Sequence, residues 1–298
     1  MSFRTIGPWV LGLGFMAALL SVMTGARAED AVINDQTVVH VPAFSDLCDI
    51  KPDQHLADNV VFERTATIME THGKLLSYST DCAALDRLRN GEGGALDEWA
   101  LLAVNYQQDG TYMTVPSGMS RADAIAELAG VSESSIQENM EAGRVAFNER
   151  VDDALGDLYD GTTLAGVRPL GILEYNDRAL YTGALLRLEE PEGTRIVAGV
   201  VGITTHKNYF VSLSYYKVYE DDSTIPGLLD VVREEVTEFL DANSSAAAAA
   251  LIASDATTDG DDSNGTAIVV GLIAGGAAVG GVAVLLFGVL VRRRRGAR

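Results

Sequence analysis

Residues 195–219 read RIVAGVVGITTHKNYFVSLSYYKVY. Two β-prone segments, Arg195 to Thr204 and Tyr209 to Tyr219, flank His206-Lys207-Asn208, so the stretch predicts a hairpin. The period then changes. From about Thr224 to Asn243 the apolar residues Leu228, Val232, Val236, Phe239 and Leu240 recur at helical spacing, which predicts a helix with one buried face. A strand pair followed by an amphipathic helix sets the theme for the residues before it.

Upstream, Arg168 to Tyr175 and Ala179 to Leu188 pair across Asn176-Asp177 as a second hairpin. Trp99 to Tyr106 (WALLAVNY) is apolar without alternation and reads as a buried strand, Leu75 to Ser79 as another, and Val38 to Pro42 as a short strand stopped by proline. Helices fill the gaps. His55 to about His72 carries a stripe of Leu56, Val60, Ile68 and Met69; Asp81 to Leu88 is a short helix ended near Asn90-Gly91. Ser120 caps a third that Gly130 closes, and Ser134-Ser135 opens a fourth with Glu138 completing a capping box. That fourth helix has a stripe of Ile136, Met140, Phe147, Val151, Leu155 and Leu158. The order predicts an α+β fold, an antiparallel sheet flanked by helices, as one domain over residues 29–243 with no internal repeat.

The two ends read as membrane signals. Arg4 precedes the uncharged run Trp9 to Met23, and Ala26-Arg27-Ala28 supplies a small-x-small cleavage pattern, so residues 1–28 are expected to be a signal peptide cut before Glu29. Residues 266–291 are expected to form a transmembrane helix. Their apolar stretch, Ala267 to Val291, would be roughly 37 Å long at about 1.5 Å per residue, enough for a core of about 30 Å. The basic tail 292–298, opening with Arg292 to Arg295, places that end in the cytoplasm. Residues 244–265, small and polar, are expected to be a flexible acidic linker. Within the span, Gly271 with Gly275 and Gly276 with Gly280 form small-xxx-small spacings that suit helix–helix packing and hence a homodimer.

Charge narrows the function classes. The chain holds 22 Lys plus Arg and 42 Asp plus Glu, for a net −20. All 42 acids lie between Glu29 and Asp262, and seven of the basic residues lie in the two ends; the part between therefore carries 15 basic residues against 42 acids, a net −27. Such a surface repels phosphate polyanions and excludes nucleic acid as a partner, whereas a basic partner is attracted. Adaptation to a salty medium accounts for the acidity equally well.

The chain has two cysteines, Cys48 and Cys82. In an oxidising compartment the simplest expectation is one disulfide, which would contribute about 3–4 kcal/mol by closing its loop. A metal pair and a reactive thiol are the alternatives. No CxxC occurs, and His40, His55, His72 and His206 are not at ligand spacing from either cysteine.

Other motifs dissolve on inspection. Ser120 to Gly143 is spaced like a helix-turn-helix, but its second helix carries Glu133, Glu138 and Glu141. Asp255 to Gly265 suggests a calcium loop, yet with Gly265 at the sixth position the twelfth is Gly271, which cannot be a ligand. Asn243-Ser244-Ser245 and Asn264-Gly265-Thr266 match glycosylation sequons. Neither GxSxG, HExxH, GxGxxG nor a P-loop is present, and acid pairs such as Asp152-Asp153, Glu189-Glu190 and Asp221-Asp222 read as solvated faces or turns. No catalytic residue, cofactor or metal ligand is assigned.

The run from Arg195 to Asn243, an apolar hairpin bearing Tyr209, Phe210, Tyr215 and Tyr216 before an amphipathic helix ending in Asn, resembles the end of PsbP-like domains. The strands around Leu75 and Leu101 fill the same plan; the helical insert around 120–158 departs from it. The resemblance is one of fold order, and it implies a binding or assembly module without a catalytic residue. The functional expectation is thus a single-pass protein of the bacterial inner membrane with an acidic periplasmic or extracellular domain, partnered by the bilayer and by another envelope protein. An extracytoplasmic hydrolase, or an accessory subunit of one, is the alternative. A polar cleft holding a titratable group of shifted pKa favours the hydrolase; an exposed apolar patch favours binding. Replacing Cys48→Ser is expected to lower the melting temperature in non-reducing buffer, and an unchanged value removes the disulfide.

Overall fold

The structure, a computed structural model, describes residues 29–34, 37–92, 96–107, 109–130, 163–190 and 193–253, and between 131 and 162 only residues 141, 143–145, 148 and 149. The expected signal peptide, the span 266–291 with Gly271, Gly275, Gly276 and Gly280, the tail 292–298 and most of the fourth expected helix lie outside the described residues. No helix among the described residues is long and apolar enough to cross a membrane.

The hairpin at 195–219 is the middle of a seven-stranded sheet. β8 (Gly193–His206) and β9 (Tyr209–Val218) pair from Val197↔Val218 to His206↔Tyr209. The turn between them is two residues, with Lys207 at a φ of 53°, in the left-handed region. β7 (Leu180–Glu190) and β6 (Thr163–Tyr175) extend the sheet on the β8 side. The Asn176 side chain builds the turn between them by accepting the N–H groups of Arg178 and Ala179 at 2.8 and 3.0 Å. On the other side come β5 (Glu98–Asn105), β4 (Gly73–Thr80) and the two-residue β3 (Cys48–Asp49). The order is β3-β4-β5-β9-β8-β7-β6, antiparallel throughout, and β1 (Glu29–Asn34) with β2 (Thr37–Val41) makes a separate hairpin.

The central strands are buried on both faces, which explains why their sequences run apolar rather than alternating. Trp99, Leu101, Val197 and Tyr216 point to one face, where they meet Val61 and Ile68 of α1 (Leu56–Met69) and Leu85 and Leu88 of α2 (Cys82–Arg89). Ile203 and Phe210, further along that face, meet Ile125 and Leu128 of α3 (Arg121–Ala129). Leu102, Val200, Val211 and Leu213 point the other way. There they meet Val232, Val236 and Phe239 of α4 (Thr224–Ala253), together with Ile33 and Val39 of the β1–β2 hairpin. The result is an α+β sandwich with helices on both sides of an antiparallel sheet.

Two glycines on β8 set how closely the layers approach. A Cβ at Gly199 would stand 2.7 Å from the Tyr216 ring, which instead lies over the bare backbone and stacks on Trp99 with centroids 5.2 Å apart. A Cβ at Gly202, on the opposite face, would stand 2.7 Å from Val236 Cγ2 and 2.9 Å from Val232 Cγ1. α4 therefore seats directly on the β8 backbone.

Ionic and covalent ties hold the α1–α2 corner. A disulfide joins Cys48 to Cys82, at the start of α2, with Cα atoms 4.9 Å apart. Beside it the fully buried Asp58 of α1 takes Arg89 Nε and Nη2 at 2.9 and 2.6 Å and the Lys51 N–H at 2.9 Å. This arrangement corrects the stripe read for α1. Leu56 is 80% exposed, whereas Val61, Thr65, Ile68, Met69 and the paired Asp58 face inward. A satisfied carboxylate took a position that an apolar count assigns to solvent.

One boundary also differs. α4 continues to Ala253, past the expected start of the flexible linker at 244, because Ala246 to Ala250 are the strongest helix formers. The sequon at Asn243 is structural. Its side chain exchanges two hydrogen bonds with the backbone of His40 on β2, accepting from its N–H at 3.0 Å and donating to its carbonyl at 2.8 Å. Asn148 does the same at Leu164 on the sheet-edge strand β6, at 3.1 and 3.0 Å. Each amide occupies an edge backbone as a neighbouring strand would.

Because α4 rests on Gly202, Gly202→Ala is expected to cost about 1–3 kcal/mol by overpacking. Val236→Ala should recover part of that loss when combined with it. Urea unfolding of the two single variants and the double variant checks this, and strictly additive losses would contradict the close approach.

Candidate functional site

A feature open to a ligand among the described residues is a slot between the β1–β2 hairpin and the outer edge of β4. It has a volume of about 330 Å³. The hairpin enters the fold by burying Ile33 and Val39, while the same two strands leave Val32 49% and Val38 44% exposed on their other face. Val32 lines the slot together with Ile50 and with Phe62 of α1. Asp30, Asp49 and Asp53 bring carboxylates to it, and Lys74 is its one basic residue. The Lys74 ammonium donates to the Ile33 carbonyl at 3.1 Å, and the Tyr112 hydroxyl donates to the same oxygen at 2.6 Å. Asp30 pairs with His40, and Asp49 accepts the Ser79 hydroxyl at 2.7 Å.

Three groups of disturbed ionisation, Glu235, Tyr215 and His206, lie elsewhere, under α4, while burial also raises the phenols of Tyr216, on the opposite face, and of Tyr78, which lines the slot. Glu235 is 1% exposed; its Oε1 accepts the Ser45 N–H at 2.7 Å and its Oε2 has no hydrogen-bond partner. Burial raises its pKa from 4.5 to about 7 against the lowering pull of Ser45, and the neighbouring Glu238 and Glu234 add to the rise. Burial also raises the Tyr215 phenol, helped by Glu98, Glu235 and Asp46. His206, at the end of β8, is pressed edge-on to Phe239 with ring centroids 6.1 Å apart. Burial lowers its pKa from 6.5 to about 4, assisted by Lys207 and opposed by a backbone hydrogen bond at Val38. None of these three side chains lines the slot.

The remaining motifs resolve as structure. Asp221 accepts the Ser223 N–H at 2.8 Å where α4 begins, and Tyr219 donates to Asp222 at 2.7 Å. Glu190 accepts from Arg195 at 2.5 Å, and Arg187 pairs with Glu189. The first helix of the apparent helix-turn-helix, α3, buries Ala124, Ile125 and Leu128 on the sheet. Gly130 ends it with a φ of −77°, without a left-handed cap. No group of three or more His, Cys, Asp or Glu able to hold a metal ion occurs among the described residues. The residues forming the slot went unnoticed in the sequence because β1 follows a cleavage pattern and β3 is only two residues long. The one signal available was the pair of prolines, Pro42 and Pro52, that keeps the intervening chain from extending as a strand.

No family model, curated protein or solved structure matches this chain.

The two buried titratable groups pull stability in opposite directions with pH. Glu235 holds its proton more tightly folded than unfolded, so its contribution is full below pH 4.5 and is lost as pH rises toward 7. His206 resists protonation when folded, so its penalty grows as pH falls from 6.5 toward 4. Replacing Glu235→Gln removes the first slope. The stability of that variant relative to wild type is expected to rise by about 2–3 kcal/mol between pH 4.5 and 8, read by urea unfolding across that range; a pH-independent difference means Glu235 ionises as an ordinary surface acid.

Proposed function

We propose that the protein is a single-pass component of a bacterial cell envelope whose α+β domain acts outside the cytoplasmic membrane as a binding or assembly module. Residues 1–28 serve as the secretory signal, residues 254–265 as the acidic spacer beyond α4, residues 266–291 as the transmembrane helix and Arg292 to Arg295 as its cytoplasmic stop. Gly271, Gly275, Gly276 and Gly280 offer that helix a close-packing face toward a second copy.

The observation that carries the binding reading is the slot beside β4 with its exposed Val32. A partly apolar recess at a strand edge suits capture of another chain. The hydrolase alternative calls for a shifted titratable group facing such a recess. Glu235, Tyr215 and His206 are sealed under α4, away from it, and the shifted group that does line it, Tyr78, is a buried phenol held protonated, which favours binding over catalysis.

The test is recovery of full-length protein from gently solubilised membranes, with mass spectrometry of what accompanies it and a chain lacking 266–298 for comparison. A stoichiometric envelope protein is expected to remain with the shortened chain. A partner lost with the span moves the interface to the transmembrane helix, and the absence of any partner overturns the reading.

A further inference from the structure

β4 is a strand edge that its neighbour uses only in part. β3 pairs with it at Ser79 and Thr80, and the Ile50 N–H reaches the Tyr78 carbonyl at 2.9 Å. From Lys74 to Ser77 no strand among the described residues lies on its outer side. The register shift between Leu75 and Ser77 leaves Leu76 opposite no residue of β5. Proteins ordinarily cover such an edge or blunt it. Here the edge opens onto the slot.

The slot's shape and charge select its occupant. β1 and β4 are drawn together at one end by side chains, Lys74 and Tyr112 on the Ile33 carbonyl, rather than by a ladder. Asp30, Asp49 and Asp53 also line the slot. A helix, about 10–12 Å across with its side chains, is too thick for a recess of this volume, whereas an extended chain is thin and brings its own N–H and C=O groups. Side chains of an extended chain alternate, so one set meets the apolar residues Val32, Ile50 and Phe62 while the other reaches the carboxylates. Asp53 is exposed and pairs with no cation among the described residues, and Lys74 is already engaged. The surrounding net −27 would speed the approach of a cationic partner.

We propose that this slot binds an extended basic segment of a partner protein, which adds a strand to β4 along Lys74 to Ser77 and sets Lys or Arg side chains against Asp53, Asp49 and Asp30. The inference rests on the binding reading above and names the surface and the chemistry of its partner.

The test uses full-length protein in detergent and fluorescent hexapeptides in which Lys or Arg alternates with Val, Leu or Phe. Controls are the same peptides with Glu in place of the basic residue, and with every second amide N-methylated to remove strand hydrogen bonds. The basic peptides are expected to bind, with affinity falling as salt rises. The Glu and N-methylated peptides should bind at least tenfold more weakly, and Asp53→Lys should weaken the basic peptides about tenfold at unchanged melting temperature. Because Asp53 is exposed, that variant leaves the core untouched; Val32→Asp, on the β1 side of the slot, provides a second reading. Absence of binding by every basic peptide, equal binding of the Glu or N-methylated set, or indifference to both variants overturns the proposal. If the membrane recovery experiment still yields a partner that Asp53→Lys retains, the binding module stands and this slot is not its interface.

Discussion

A sheet whose central strands are apolar on both faces dictates nearly everything else in this protein. β5, β8 and β9 expose no face that water could tolerate, so the chain has to provide two covers. It does so from opposite ends of the sequence: α1, α2 and α3 close one face, while α4 and the β1–β2 hairpin close the other. The covers hold different kinds of residue. Between α1 and α2 lies an ion pair, Asp58 with Arg89, which bridges two short helices that each bury little. Removing one partner alone would strand a buried charge at a cost of about 3–5 kcal/mol. Under α4 the fit is steric, through Gly202, and the acid at the interface, Glu235, has its pKa raised by burial to about 7.

The acidity belongs to the surface and not to this packing. A net −27 between Glu29 and Asp262 adds self-repulsion that the double-sided core must outweigh, and it is tolerated because most of those carboxylates remain in water. Many of the basic residues pair at the surface, some locally, Arg144 with Glu141 and Arg233 with Asp230, and some across the fold, Arg233 with Glu174 and Arg178 with Asp241. Such exposed or half-exposed pairs contribute little each. They relieve local crowding of like charge without supporting the fold.

Local pattern made much of this legible. Hairpins with short turns, the capped helices starting at Asp81 and Ser120, and the face of α4 all express themselves within about twenty residues, though β6 begins earlier, at Thr163, and α4 runs on to Ala253. What could not be read depends on distant partners. β1 and β2 count as a cover through distant residues, among them Asn243, which grips His40 from 203 positions away. β3 is two residues that mean nothing until β4 aligns them. The burial of Asp58 requires Arg89, so α1 adds a carboxylate to the inward face that Ile68 and Met69 mark and leaves Leu56 outside it. The slot is the extreme case, since it is formed by where strands stop, and no periodicity records a strand that is missing.

The edges of the structure show why that missing strand matters. At β6 the outer backbone of Leu164 is occupied by Asn148, and at β2 that of His40 by Asn243, so two edges are closed by amide side chains that imitate a strand. β4 receives no such amide from Lys74 to Ser77. It has a bulge at Leu76, an apolar wall on α1 and a rim of carboxylates instead. A bulge and charge alone would discourage indiscriminate pairing, because a neutral apolar strand gains nothing from the carboxylates and loses register at Leu76. The bulge acts on any strand alike, but the carboxylates favour a basic one, whose charges are satisfied at the rim while its backbone finds the groups that β3 leaves uncovered. An edge closed to most chains and open to one chemical kind is what discrimination between partners requires.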